Sequence, residues 1–253
     1  MQTMVIWFVG TILEILLLVR AYQGRLLVHF PIFYSYLLFI TVDDVLRMVV
    51  YRWYSGHYYQ FYWITQFLSL LFGSGIIFEI YRVALRSFPG AARMSRYLLF
   101  VVFGGVFARA IAIRSGDLVS WLSSSCLILE RNLRIVQALA ILTLVALFLW
   151  YAIPFGRNLK GILIGYSLFI SVSIAQYALW IRHWDPINSL WPHAESVSYL
   201  MVLAIWLAML WAYQPVPVTE QDARLKNDYE LVFASTRDQF RRTLARLGWA
   251  ARV

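Results

Sequence analysis

Asp43, Asp44 and Arg47 stand together in a stretch that is otherwise almost wholly apolar, and Glu130, Arg131 and Arg134 stand together in a second. Residues four apart share a face of a helix, so Asp43 meets Arg47 and Glu130 meets Arg134, while Asp44 turns to the neighbouring face. Arg109, Gln176, His193 and Glu195 are further polar groups in or beside apolar runs. A charge inside a membrane span costs about 2.5–3.5 kcal/mol on insertion scales, so such groups pair with one another or mark a site. Two readings follow for this cluster. One is a set of ion pairs that fixes how helices pack. The other is an outward-facing polar cavity for a small ligand, whose arginines suit a carboxylate or phosphate because guanidinium holds such groups in a bidentate fork.

Glu14 stands alone in an apolar run and calls for a proton, an arginine or a hydroxyl from another helix. Glu79 and Arg82 are three apart and can pair across one turn. Other chemistries find little support. The last apolar segment has no lysine for a retinal Schiff base, and His29, His57, His183 and His193 lie near segment ends, where they cannot form a bis-histidine haem site. No zinc motif of the His-Glu-x-x-His type occurs. The single cysteine, Cys126, rules out an intramolecular disulfide or a cysteine-built metal cluster. Gly73-Ser74-Gly75 has the look of a serine intramembrane protease, but no histidine lies within a later span to act as base. The expectation is a protein without catalytic residues, cofactor or metal.

Seven apolar segments must position these groups, at about 4–19, 30–50, 61–81, 97–113, 135–153, 161–181 and 190–213. A hydrocarbon core about 30 Å thick needs roughly 20 residues of helix, and only helices or closed barrels satisfy their backbone there. Charged residues make up 14% of the chain, against about 25% in soluble domains. The expected fold is therefore all-α, a seven-helix membrane bundle over 1–214 followed by a polar tail, 215–253. Residues 1–20 lack the basic start and the cleavage site of a signal peptide and read as the first span. The run 118–129 before the fifth segment is also largely apolar and could lengthen it.

Lysine and arginine set the orientation. Arg20 and Arg25, then Arg82, Arg86, Arg93 and Arg96, then Arg157 and Lys160 lie in alternate connections, with seven basic residues in the tail. The other connections hold Arg52, Arg114 and Arg182. The N-terminus is expected outside and the tail in the cytoplasm, with aromatic belts at 51–59 and 180–191 on the outer boundary. In the tail, Phe240, Leu244 and Leu247 fall on one helical face, with Arg241, Arg242 and Arg246 beside them and Trp249 after Gly248. Such a basic amphipathic helix lies on anionic lipid or docks on a protein partner. The net charge of +9 sits mainly at segment ends and points to lipid rather than nucleic acid.

Small residues mark close helix contacts: Gly73-Ser74-Gly75, Gly104-Gly105, and Gly161 with Gly165. The run Leu129-Glu130-Arg131-Asn132-Leu133-Arg134-Ile135-Val136-Gln137, with 159–179 and the charged tail, resembles uncharacterised seven-span proteins of bacteria, particularly acidobacteria. The resemblance covers the second half and implies a multi-pass protein of the bacterial inner membrane, with no activity or ligand attached. The functions to be weighed are a receptor-like or sensory bundle, an accessory subunit of a larger membrane complex, and a small-solute transporter.

Overall fold

The computed structural model describes residues 2–86, 89–112, 118–150, 156–181 and 185–214. Among them it is all-helical: α1 (Gln2–Gln23), α2 (Leu26–His29), α3 (Pro31–Trp53), α4 (Tyr58–Ala84), α5 (Pro89–Ala112), α6 (Leu118–Trp150), α7 (Arg157–Ile181) and α8 (Asp185–Met209), with a 3-10 turn at Ser55–His57. The breaks have local causes. The Gly24 amide donates to the Arg20 carbonyl at 2.8 Å, and Arg25 then takes a left-handed φ of 54°, which a helix cannot continue. Pro31 opens α3 at its first turn, where a missing N–H is harmless.

Among the described residues, five helices are long and apolar enough to cross a membrane, within Ile6–Gln23, Ser55–Ala84, Gly90–Ala112, Ile128–Leu149 and Arg157–Gln176. Helix α3 has the length, 23 residues or about 34 Å, but Asp43, Asp44, Arg47 and Arg52 dilute its apolar character. In α8 the apolar stretch among the described residues is Ser196–Met209.

Two boundaries differ from the sequence expectation. Helix α5 begins at Pro89 rather than near 97, so Arg93 and Arg96 belong to the helix, and Arg96 Nε donates to the Ala92 carbonyl at 3.2 Å. Helix α6 begins at Leu118 rather than near 135. The apolar run 118–129 is its first part, and Glu130, Arg131 and Arg134 therefore sit inside a 33-residue helix instead of at its start. The tail, 215–253, lies outside the described residues.

Seven long helices form a closed ring in the order α1, α3, α4, α5, α6, α7, α8 and back to α1. Helix α4 also reaches across to α6 and α7, which makes it the innermost. Helix α5 is the outlier: it touches α4 and α6, and only 11% of its apolar window is buried. The core is one cluster that includes Phe33, Leu70, Ile76, Leu133, Tyr166, Val202 and Trp206.

The glycines divide. A Cβ on Gly161 would collide with the Met209 side chain and one on Gly165 with the Trp206 indole, so these two let α7 press on α8. A Cβ on Gly73 would sit 2.9 Å from Tyr166 Oη, and one on Gly75 3.0 Å from Ile32 Cγ2. Gly104 and Gly105 are a correction. Nothing lies within 4 Å of a Cβ at either, because both are on the exposed face of α5.

One end of the bundle is tied by polar contacts. Asn158 Nδ2 donates to the Ala212 carbonyl at 3.0 Å, and its Oδ1 accepts from the Gln214 amide at 2.7 Å, which satisfies backbone left free beyond the end of α8. Arg157 donates to the Ala208 carbonyl. The Arg20 guanidinium lies 3.7 Å from the Trp211 ring centre, and His29 stacks on Tyr213.

Candidate functional site

Along α6, residues 130, 134 and 137 follow one another on a single face, and this face carries a polar ladder into the bundle. Glu130 is at its accessible end. Its Oε1 accepts from Arg134 Nη2 at 3.3 Å, and its Oε2 accepts from Gln66 Nε2 of α4 at 3.0 Å. Arg134 Nη1 donates on to Gln137 Oε1 at 3.4 Å. Exposure falls along the ladder, from 14% for the Glu130 side chain to 7% for Arg134, and Gln137 is wholly buried. The guanidinium carbon of Arg134 lies 4.6 Å from the centre of the Phe169 ring on α7. Tyr166, also on α7, donates its hydroxyl to the Gly73 carbonyl of α4 at 2.9 Å.

The pairing is incomplete in one direction. Arg134 Nε and Gln137 Nε2 are buried and have no hydrogen-bond partner among the described residues. Both are donors. The ladder thus presents two unmet donor groups at its inner end, one of them on the guanidinium that pairs with Glu130. An acceptor would complete them, and the fork of an arginine matches the geometry of a carboxylate or phosphate.

No protein-family model, no curated protein and no solved structure matches this chain.

A second polar group lies between α3 and α4. Arg47 Nε approaches Asp43 Oδ2 to 2.8 Å, Arg47 Nη2 donates to Thr65 Oγ1 at 2.8 Å, and the guanidinium sits 4.7 Å from the Tyr62 ring centre. A third joins α1 to α8, where the Tyr199 hydroxyl donates to Glu14 Oε1 at 2.5 Å. The lone acid of α1 thus has a hydroxyl partner on another helix. Asp44 is half-buried on α3.

The remaining predicted residues scatter. Arg131 is exposed on α6, Arg109 is exposed on α5 away from the ladder, and Gln176 is half-buried on α7. The side chains of His193 and Glu195 lie outside the described residues. Among the described residues no group of three or more His, Cys, Asp or Glu could hold a metal ion.

Glu79 has a structural task. Its two carboxylate oxygens accept from the backbone N–H groups of Ile32 at 3.0 Å and Phe33 at 2.7 Å, while Arg82 Nη2 donates to Oε1 at 3.3 Å. The first N–H groups of a helix have no partner within it, and Phe30 supplies no side-chain cap. A carboxylate from α4 caps α3 instead, at the end where the helix dipole is positive.

Sequence reasoning picked out the arginines and acids but passed over Gln66 and Thr65 as their partners. The signal was there: two adjacent polar residues in an apolar helix. Tyr166 and Tyr199 gave no such signal, because their rings count as apolar and their hydroxyls do not show in a hydropathy pattern.

Proposed function

We propose that this chain is a non-enzymatic, receptor-like seven-helix protein of a bacterial inner membrane that binds a small carboxylate or phosphate at the Arg134–Gln137 end of the ladder. The carrying observation is the pair of unmet, buried donors beside Arg134. In this reading all seven long helices span the bilayer. The N-terminus and the Gln66–Glu130 mouth of the ladder face outward, and the tail lies on the cytoplasmic leaflet. The positive-inside distribution of lysine and arginine supports the orientation. The ladder joins α4 and α6 and abuts α7, so a bound anion that draws Arg134 from Glu130 changes how three neighbouring helices are held. In this reading the signal passes to a partner at the cytoplasmic face.

A second reading, an accessory subunit of a larger membrane complex, is favoured by the exposed, thinly packed α5. The native mass of the protein gently extracted from its own membrane separates the two. The receptor reading expects a lone bundle or a simple dimer. A fixed stoichiometry with other polypeptides would replace it with the subunit reading.

A further inference from the structure

Between α5 and α6 an open groove of about 520 Å³ runs along the surface of the bundle. That volume lies within the range of small-ligand sites, roughly 300–1,000 Å³. Its lining is mixed: Arg109 of α5 and Asn132 of α6 are polar, and Val101, Val102, Gly105 and Ile135 are among the apolar remainder. Arg109 and Val101 are eight residues apart, so the apolar part extends for about 12 Å along α5. Helices α5 and α6 are consecutive and packed on each other, so they run in opposite directions, and the last lining residue of α5, Arg109, falls towards the same end as the first of α6, Asn132. Gly105 leaves the surface of α5 bare within the groove: no atom lies within 4 Å of where its side chain would begin.

Several arginines of the bundle are already held. Arg47 and Arg134 meet carboxylates and Arg20 lies on an indole. Arg109 is exposed, and no hydrogen bond, ion pair or ring contact holds it among the described residues. Arg131, exposed on α6 next to Asn132, adds a second positive charge nearby. A partner helix laid in this groove would have to bring an acid to Arg109. A phospholipid brings its phosphate to that end and an acyl chain to the apolar remainder in one molecule.

We propose that the α5–α6 groove is a site for a single anionic phospholipid, its phosphate on Arg109 and Asn132 and one acyl chain lying over Gly105 towards Val101. The guanidinium supplies charge-assisted hydrogen bonds to the phosphate, and Gly105 gives the chain room to lie against the helix backbone. This site is separate from the ladder, so it stands or falls independently of the ligand proposed there.

Native mass spectrometry of the full chain, titrated in detergent with dioleoylphosphatidylglycerol, tests the assignment. The wild type holds one lipid more tightly than any further ones. Arg109→Gln weakens that first binding by about tenfold, the worth of one charge-assisted hydrogen bond. Gly105→Leu fills the groove, leaves Arg109 in place and weakens it similarly. Millimolar inorganic phosphate does not displace the lipid, because it lacks the chain. Circular dichroism and melting of both variants match the wild type, since neither residue is in the core. Equal lipid binding by all three proteins would overturn the proposal. So would displacement by phosphate alone, which would make this a phosphate site. Unchanged lipid binding with a fall in dimer mass on Gly105→Leu would also overturn it, and would assign the groove to a second copy of the chain.

Discussion

Replacing Arg134 with leucine will destabilise the bundle by about 3–5 kcal/mol, and replacing Glu130 with leucine in the same chain will recover most of that loss. The asymmetry follows from where the two groups lie. Arg134 is 5% exposed and Glu130 is joined to it at 3.3 Å, so removing the arginine strands a carboxylate with only the Gln66 amide to meet it. Removing both takes away the stranded charge together with its partner and returns apolar packing against Phe169. Recovery stops short of complete because Gln66 then loses its acceptor, at about 1 kcal/mol. Denaturation of the four proteins in one detergent gives the coupling directly. A double variant as unstable as the sum of the two single ones would show that Arg134 and Glu130 do not act as a pair.

Glu79→Ala will cost nearly as much although its visible salt bridge contributes little. The partner Arg82 is 53% exposed, and an ion pair with one solvated member is worth at most about 1 kcal/mol. The larger part comes from the Ile32 and Phe33 N–H groups, which lose a charged acceptor, at about 1.5–3 kcal/mol for each such bond. Glu79→Gln keeps one acceptor oxygen and should fall between wild type and alanine, while Arg82→Ala should shift stability only slightly. Thermal unfolding of the three variants distinguishes the cap from the ion pair. An Arg82→Ala loss equal to that of Glu79→Ala would assign the role to the pair instead.

These two residues show what was legible in the sequence. Glu130 with Arg134, like Asp43 with Arg47, is a contact within one helix, and its spacing alone announces it. Glu79 also has a partner at helical spacing, but its main one is backbone 46 residues away, and no pattern of side chains marks a backbone amide. The long start of α6 was hidden for a related reason. Charges at 130, 131 and 134 look like the boundary of an apolar segment, whereas in the fold Glu130 and Arg134 neutralise each other inside the helix. Arg109 belongs with the cluster by type and by sequence, yet the ring places α5 at the edge, and only the packing of helices separates it from the ladder. Gly104-Gly105 and Gly161–Gly165 make the same point. Both read as contact glycines, and only one pair has a helix against it.

The central claim, an anion received by the unmet donors beside Arg134, is tested most directly by ligand-induced thermal shift. The full chain in lipid nanodiscs would be melted with a panel of small carboxylates and phosphates, alongside Gln137→Leu and Arg134→Lys. A ligand present at a hundred times its Kd adds about 2.7 kcal/mol to the stability of the state that binds it. The account predicts that at least one of these anions raises the melting temperature of the wild type. It also predicts a smaller shift in Gln137→Leu, which lacks one of the unmet donors, and in Arg134→Lys, which keeps the charge but loses the fork. A panel that leaves the wild type unmoved, or moves all three proteins alike, would contradict it and leave the ladder as packing.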